Sequence, residues 1–316
     1  MALASPAHVG INDLDALRLT LDPLRQRWWH GPIDLVIQAE GEAEVLSAAH
    51  ARAWREFQGL LATLVAELAV LRQPVQPERD NPCQGAVARI MWQACQPLAG
   101  PTETDFITPM AAVAGSVAQH LIRHYALPGV RRAMINNGGD IALHLAPGQH
   151  WRLGVVADVR RVRHLQGTSP EILPDAQVVI TADSPVRGVA TSGWDGRSFS
   201  FGIADSVTVL AASAAQADAA ATMIANRVDV AHPGIERVPA CEMRDDSDLG
   251  ARRVTRHVPR LPLGQIRTAL QRGLAYAQDL QQQGLIHAAW LSCQQQSVTC
   301  GPQEVLAGAE IGVTTT

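Results

Sequence analysis

The stretch Asn136-Asn137-Gly138-Gly139-Asp140 stands between two short apolar runs, residues 133–136 and 141–145. Each run has the length of a strand, and Asn and Gly supply the positive φ angles that a tight turn between two strands needs. The stretch therefore predicts a hairpin. Paired glycines also leave backbone N–H groups uncovered, so the same turn could bind a phosphate or another anion. Spacing alone leaves both interpretations open.

Similar short runs alternate with longer helical patterns on both sides of this turn. Runs rich in β-branched and aliphatic residues predict strands, whereas apolar residues at helical spacing predict amphipathic helices. Further strands are expected at 33–38, 153–157, 177–181, 188–191 and 206–211, and helices at 43–71, 85–96, 110–125, 215–226 and 263–283. No repeat or low-complexity linker divides the chain, so we expect one unit over 1–316 with a frayed tail at 314–316.

The helix expected at 110–125 carries an unusual number of small residues. They are Ala111, Ala112, Ala114, Gly115, Ser116 and Ala118. Small side chains allow a close approach to the backbone, either by a packed helix or strand or by a ligand. The sequence does not separate these two possibilities.

Composition excludes several classes of partner. The chain has 316 residues and a net charge of −4, which gives no basic footprint for nucleic acid, and the basic stretch 160–164 is expected to be a solvated loop. The N-terminus lacks the basic and apolar regions of a signal peptide, and the apolar run 60–71 is too short to cross a bilayer. We therefore expect a cytoplasmic protein without a membrane partner.

The long helix expected at 43–71 is a candidate face for a homo-oligomer.

The chain has five widely spaced cysteines, and none of them falls in a Cys-x-x-Cys pair. This spacing argues against both a zinc knuckle and a disulfide framework.

Thr191-Ser192-Gly193 ends one predicted strand with two hydroxyl groups. Such hydroxyls most often bond to the local backbone in turns, but they could also donate to phosphate oxygens. Ser192 lacks the Gly-x-Ser-x-Gly context of a hydrolase nucleophile, since Ala190 stands two residues before it. The sequence therefore does not favour a Ser-His-Asp hydrolase.

Asp218 and Thr222 lie four residues apart on the helix predicted at 215–226, so their oxygens share one face. A carboxylate and a hydroxyl are hard oxygen ligands of the kind that suit Mg²⁺. Asp218 also lies near the start of the helix, where a carboxylate favours the helix dipole. Helix capping is therefore the alternative to a metal site.

These three segments occur in an order that resembles the ApbE family, the FAD-dependent protein flavin transferases. The family pattern is an Asn-x-Gly-Gly-(Asp/Asn/Glu) turn, a Thr-Ser-Gly strand end, and an Ala-Asp-Ala-x-x-Thr helix whose Asp and Thr help to bind Mg²⁺. The matching residues here are 136–140, 191–193 and 217–222, and with the small-residue helix the resemblance covers roughly 105–228.

Two elements of the flavin-transferase pattern are missing. The family helix begins with an Asp and carries a Lys, and the corresponding positions here are Pro109 and Gly115. The His-x-x-Asp-Pro segment that follows Thr-Ser-Gly in the family is replaced by residues 196–205. These departures disfavour a flavin cofactor and leave the Asp-Thr metal helix in place.

The chain is more similar to a cytoplasmic branch of the same superfamily. That branch is marked by His-Gly-Pro-Ile-(Asp/Asn), Met-Ala-Ala-Val-Ala-Gly, Asn-Asn-Gly-Gly-Asp and Gly-Ile-Ala-Asp-(Ser/Ala)-Val-Thr-Val. All four motifs are present, at residues 30–34, 110–115, 136–140 and 202–209. The resemblance implies an α+β fold in which a mixed, largely antiparallel sheet is covered by helices.

The resemblance also implies a cleft where the glycine turn, the Thr-Ser-Gly turn and the Asp218 helix meet. We expect backbone groups of Gly138 and Gly139 and the hydroxyls of Thr191 and Ser192 to bind an anionic group there, with Asn136, Asn137 and Gly193 in the same binding set and Asp218 and Thr222 as the metal ligands. His30, Asp140 and Asp205 are the catalytic candidates. His30 is the first candidate for a general acid or base because an imidazole titrates near neutral pH, although a His before Gly-Pro could simply end a strand.

Three functions are consistent with this expectation. The leading hypothesis is an enzyme acting on a small anionic or nucleotide-like molecule. The first alternative is a Mg²⁺-dependent FAD:protein FMN transferase, and the second is a non-catalytic protein that binds a flavin, a pterin or a similar ring.

Overall fold

A computed structural model describes residues 15–155, 176–196 and 198–302. The basic stretch 160–164, the end of the strand expected at 153–157, and the tail 314–316 lie outside these residues. The strands are β1 (Leu17–Asp22), β2 (Arg25–His30), β3 (Ile33–Gly41), β4 (Val130–Asn137), β5 (Asp140–Leu145), β6 (His150–Val155), β7 (Ala176–Thr181), β8 (Gly188–Ser192), β9 (Ser206–Ala211), β10 (Glu236–Pro239), β11 (Arg253–His257), β12 (Ala288–Cys293) and β13 (Gln296–Cys300).

Seven helices accompany these strands within the described ranges. They are α1 (Ala43–Ala66), α2 (Leu68–Leu71), α3 (Ala86–Cys95), α4 (Val113–Ile122), α5 (Ala214–Arg227), α6 (Ala240–Met243) and α7 (Leu263–Gln282). Short 3₁₀ turns occupy Gln96–Leu98, Glu103–Asp105, Pro109–Ala112 and Arg123–Tyr125. None of the described helices combines the length and the apolar character needed to cross a bilayer.

Nine strands form one sheet in the order β1-β2-β3-β4-β5-β8-β9-β12-β13. Every pairing between neighbours in this order is antiparallel. The pairs β6–β7 and β10–β11 form two smaller sheets. The predicted α+β class with a largely antiparallel sheet is thus confirmed.

The two faces of the large sheet bury different cores. In β3, side chains alternate, and Ile33, Leu35, Ile37 and Ala39 are buried on the face that packs against the helices. On the opposite face, a second cluster joins Leu143 and Leu210 to Trp151 of β6 and Ile180 of β7. Because successive strand residues point to opposite faces, cluster membership shows which side of the sheet each residue occupies. We call the first side the helical face.

Each helix and strand predicted from the sequence has a counterpart in the structure, with shifts at a few boundaries. The helix expected at 43–71 is interrupted at Glu67, whose carboxylate accepts hydrogen bonds from the backbone N–H groups of Gln84 (2.7 Å) and Gly85 (2.6 Å) at the start of α3. The helix expected at 110–125 begins and ends in 3₁₀ turns. Strands β1, β2 and β10–β13 were not predicted. In β12 all six residues are buried, so no alternation marks it as a strand.

Candidate functional site

The predicted site segments converge at one end of the large sheet. The β4–β5 turn lies there, and strand register places Leu35 opposite Asn137, Asn137 opposite Asp140, and Ile141 opposite Val189. The β2–β3 turn and the end of β8 therefore reach the same edge. The antiparallel topology brings together segments that are far apart in sequence.

The glycine stretch forms a two-residue hairpin turn. Gly138 and Gly139 have φ angles of +68° and +118°, which favour glycine at both positions. The Oδ1 atom of Asn136 accepts a hydrogen bond of 2.8 Å from the backbone N–H of Gly139. The turn interpretation is therefore correct. The N–H of Gly139, expected to bind an anion, is already used within the turn.

The alternation of side chains divides the predicted residues between the two faces. Asn137 lies on the helical face, where its Nδ2 donates to the carbonyl of Ala114 (3.1 Å), and Asp140 pairs with Asn137 across the turn. Ser192 pairs with Val207 of the helical-face core. Asn137, Asp140 and Ser192 consequently share one side of the sheet.

Thr191 lies on the opposite face. Its Oγ1 is 2.9 Å from Oγ1 of Thr208, and Thr208 in turn pairs with Trp290 of the second core. The hydroxyl of Thr191 therefore cannot serve the same ligand as the helical-face residues, which corrects its assignment to the binding set. Its backbone N–H does reach the site, because it donates to Oδ1 of Asp140 (3.3 Å).

Asp218 projects from α5 towards the beginning of α4. Its Oδ2 accepts a hydrogen bond of 2.8 Å from the N–H of Gly115, and its carboxylate also accepts one from Ala114. The capping alternative is thus partly right, but the helix that Asp218 caps is the neighbouring one. Its own helix, α5, is capped by Ser213, whose side chain accepts from the N–H of Gln216 (3.4 Å).

Gly115 makes this close contact between α4 and α5. A Cβ atom at this position would lie 2.3 Å from the carbonyl oxygen of Ala214 and 2.9 Å from Cβ of Asp218. The small-residue surface therefore receives a helix, which decides between the two possibilities that the sequence left open. The same contact closes the position where the flavin transferases carry a Lys.

Two carboxyl groups approach each other on the helical face. Burial raises the pKa of Asp218 well above its ordinary value, and the negative charge of Asp140 raises it further; the N–H bonds from α4 act in the opposite direction. Asp218 is nevertheless partly exposed to solvent, as is Thr222 one helical turn later. The negative charges of Asp140 and Asp218 therefore repel each other beside a partly exposed threonine of the same helix as Asp218.

The donor set is sparse for a metal ion held by protein alone. No cluster of three or more His, Cys, Asp or Glu side chains suited to a metal occurs among the described residues. Mg²⁺ usually keeps several waters and uses only one or two carboxylates together with ligand phosphates. Asp218, Asp140 and the hydroxyl of Thr222 fit that weaker form of site, in which the ligand completes the coordination.

His30 occupies a different place along the same edge. Its ring packs edge-on against Phe57, with centroids 6.2 Å apart, and its buried Nδ1 has no hydrogen-bond partner within the described ranges. It borders a cavity of about 640 Å³ that Asp15 and Gln58 also line. Two strands separate β2 from β5, so about 14 Å of sheet lies between His30 and Asp140. His30 could join Asp140 only through an extended ligand.

Asp205 supports a second hairpin. Its carboxylate accepts hydrogen bonds from Nε1 of Trp194 (3.3 Å) and from the N–H of Gln294. Gln294 and Gln295 form the β12–β13 turn with positive φ angles of 45° and 68°. These contacts make Asp205 a structural residue that holds a strained turn, and they give no support to its predicted catalytic role.

Gly193 also has a packing role. A Cβ atom there would lie 2.4 Å from the carbonyl oxygen of Asp205, so only glycine allows the chain to pass. This close packing explains why position 193 is a glycine, and no ligand is needed to account for it.

The amides at the start of α4 are the part of the site that sequence reasoning missed. The sequence marks Ala114 and Gly115 as small residues within a family motif, and nothing local shows that Asp218 would bind their N–H groups. One feature of the sequence could have predicted this contact: a helix of small residues occurs together with a single carboxylate on a second, alanine-rich helix.

The fold is α+β, and a family match places the chain in the ApbE-like superfamily. The sequence model of the family described as AbpE bacteria matches residues 18–301, and the chain belongs to that family. Among curated relatives, a "UPF0280 protein" of Methanosphaerula palustris is 39% identical over 139 residues, which cover 44% of this chain and 52% of the relative. Another "UPF0280 protein", from Methanothermobacter thermautotrophicus, is 40% identical over 121 residues, covering 38% and 42%. The matches thus span about half the length of these relatives.

Solved structures show a more distant likeness. A mutant of the flavin transferase ApbE from Vibrio cholerae has a TM-score of 0.45 and 14% identity, with 86% of this chain and 94% of that chain covered. The apo flavinyl transferase ApbE from Pseudomonas stutzeri has a TM-score of 0.44 and 16% identity, with 95% and 97% covered. We draw no conclusion about activity from these two likenesses.

Proposed function

We propose that this chain is a cytoplasmic enzyme acting on a small anionic or nucleotide-like molecule. The molecule would bind on the helical face of the sheet, between the β4–β5 turn and the Asp218 side of α5. Five free thiols, four of them buried, are compatible with a reducing compartment.

The close pair formed by Asp140 and Asp218 carries this proposal. Burial and the charge of Asp140 raise the pKa of Asp218, and groups with such perturbed pKa values concentrate at functional sites. A divalent cation would relieve the repulsion and favour the charged form of both acids.

Each neighbouring residue then has a role. Asp218 and Thr222 would hold Mg²⁺, which supplies positive charge to neutralise ligand phosphates when it is bound. Asp140 is the candidate proton acceptor, and the hydroxyl of Ser192 is placed on the same face to donate to the ligand. His30 is available to the far end of an extended molecule beside its own cavity.

Binding of ADP, FMN and FAD tests the proposal by calorimetry and thermal shift, each with and without Mg²⁺. We expect at least one of them to bind only with Mg²⁺, and Asp218→Asn to weaken that binding at least tenfold, because the amide keeps the shape but loses the charge. Asp80→Asn, in an exposed loop, is the control and should bind as the wild type does. Equal affinity in Asp218→Asn and wild type would count against the site.

Transfer of FMN from FAD to a protein hydroxyl is the second candidate, favoured by family membership and by the Asp-Thr pair on α5. The phosphoester bond to the acceptor would form as the pyrophosphate bond breaks, and AMP would leave. Incubation with FAD, Mg²⁺ and an acceptor protein should then release AMP. Flavin binding by the wild type without any AMP release, with an affinity that Asp140→Asn leaves unchanged, would instead indicate a non-catalytic flavin-binding protein.

A further inference from the structure

One line of polar side chains leads away from Asp218 along α5. Between residues 217 and 226 every residue is buried except Asp218, Thr222 and Asn226, which are partly exposed. Their spacing of four residues places them on one face of the helix, and eight residues of helix span about 12 Å. A ligand held at Asp218 can therefore extend along α5 as far as Asn226.

Asn226 presents hydrogen-bond donors at the end of this line. Its Oδ1 accepts hydrogen bonds from the backbone N–H of Phe201 (2.9 Å) and from the hydroxyl of Ser200 (3.1 Å). The bond from the backbone N–H fixes the orientation of the amide, because only the amide oxygen can accept it. The Nδ2 atom donates to no group among the described residues, so its N–H bonds are available to a ligand.

Two arginines lie against phenylalanine rings beyond the end of this line. The ring of Phe201 is 6.3 Å from that of Phe106, and Cζ of Arg252 is 3.5 Å from the centre of the Phe106 ring. Cζ of Arg244 is 5.2 Å from the centre of the Phe199 ring. Stacking on a ring holds a guanidinium in place while its N–H groups stay available at the rim.

Both guanidinium groups are exposed, and neither forms an ion pair with a described residue. By contrast, three other arginines that stack on rings are each paired with a carboxylate, namely Arg27, Arg132 and Arg227. An arginine without a counter-ion binds phosphate oxygens through charge-assisted hydrogen bonds.

The segment 240–252, which begins at α6 and carries both arginines, is fixed against the rest of the fold. Its Asp246 pairs with Arg72 (2.8 Å), and its Asp248 accepts a hydrogen bond from the hydroxyl of Thr108 (2.5 Å). Thr108 stands just before the turn that leads into α4. These contacts hold the segment beside the site and engage two of its acids away from the arginines.

We propose that Asn226, Arg244 and Arg252 form a second anion subsite, which binds a phosphate group at the far end of the substrate. Two guanidinium charges suit a phosphate dianion better than a carboxylate. The role of this subsite in the reaction rests on the proposed function, in which Asp218 and Mg²⁺ hold the first anionic group. The substrate class is then an extended molecule with two anionic groups about 12 Å or more apart.

Binding of inorganic pyrophosphate to the full chain tests the subsite by calorimetry, with EDTA in place of Mg²⁺. We expect the wild type to bind with a dissociation constant of about 1 mM or lower. Arg252→Gln should weaken this binding at least tenfold, because it removes a positive charge. Asn226→Asp should weaken it as well, because it keeps the acceptor oxygen but replaces the donor by a negative charge.

Arg18→Gln is the matched control and should bind pyrophosphate as the wild type does. Arg18 is also exposed and stacked on a ring, that of Trp54 at 5.0 Å, and it has no carboxylate partner in the described ranges. It lies on β1, at the edge of the large sheet.

The same affinity in Arg252→Gln and Arg18→Gln would overturn the proposal, as would the absence of pyrophosphate binding by the wild type at about 10 mM. Asp218→Asn should not weaken pyrophosphate binding without Mg²⁺, and a loss in that variant would place the anion at Asp218 instead. Failure of Mg²⁺-dependent nucleotide binding alone would count against the proposed function, whereas failure of pyrophosphate binding alone would count against the second subsite.

Discussion

At the scale of single residues, close backbone contacts decide the shape of the candidate site. Gly115, Gly193 and Gly139 look alike in the sequence, yet their surroundings differ. A Cβ atom would collide with backbone atoms at Gly115 and Gly193, whereas the space beside Gly139 is open. The first two glycines are required by packing, and the third is required by its positive φ angle.

Gly115→Ala is expected to destabilise the protein. The added methyl group would meet the carbonyl of Ala214 at 2.3 Å and push α4 away from α5, and overpacking of this kind costs about 1–3 kcal/mol. Urea denaturation measures the change in the free energy of unfolding.

Gly59→Ala in α1 provides the matched control for this prediction. Nothing lies within 4 Å of its Cβ position, so alanine should stabilise the helix by about 0.5–1 kcal/mol. Equal effects of the two substitutions would contradict the packing role of Gly115.

At the scale of elements, one carboxylate joins two helices. Glu56 of α1 accepts hydrogen bonds from His120 of α4 (2.7 Å) and from Arg123 and His124 of the 3₁₀ turn that follows it. Burial alone would raise the pKa of Glu56, but the hydrogen bonds from Arg123, His124 and His120 outweigh it and lower the pKa to about 2. This cluster fixes α1 against α4 behind the candidate site.

Glu56→Gln should therefore weaken the protein at neutral pH by about 1–2 kcal/mol, a modest value because the side chain is 31% exposed. A folded-state pKa below the ordinary 4.5 stabilises the protein above that pH, and this contribution is lost as the pH falls from 4.5 towards 2.

Unfolding at pH 7 and at pH 3 distinguishes this ion cluster from simple packing. The difference between the wild type and Glu56→Gln should be clearly smaller at pH 3 than at pH 7, while Glu78→Gln in an exposed loop should match the wild type at both. A difference that is the same at both pH values would argue against the charge interaction.

At the scale of the whole molecule, the reactivity of the cysteine thiols measures whether the folded core stays closed. Cys83, Cys95, Cys293 and Cys300 are buried and Cys241 is exposed, and none forms a disulfide. Burial raises the pKa of all four buried thiols, to about 12 for Cys293. Their thiolate forms are therefore scarce at ordinary pH.

A thiol reagent at pH 8 should modify one cysteine rapidly in the native protein and all five after denaturation. Cys241→Ser should abolish the rapid reaction and leave the four slow ones. Rapid reaction of two or more thiols in the native wild type would show that the core opens more readily than the packing implies.

Most of the described fold could be predicted from local sequence. The glycine hairpin, the helices on either side of it and the strands of the sheet centre follow from turn chemistry and periodicity, which act within a few residues. Strand β12 was not predicted, because burial on both faces removes the alternation of apolar and polar residues that marks a strand. The edge strand β1 and its neighbour β2 carry more polar residues and were not predicted either.

The candidate site was predictable as a set of segments but not as an arrangement. The sequence by itself determined the glycine turn, the hydroxyl-rich strand end and the Asp218–Thr222 spacing, because each depends on neighbours in the chain. Only the tertiary structure decided that Thr191 faces away from Asp218, that Asp205 holds a distant turn, and that Asp218 caps α4. Strand register and helix packing set these relations, and both are established between residues that lie tens to hundreds of positions apart.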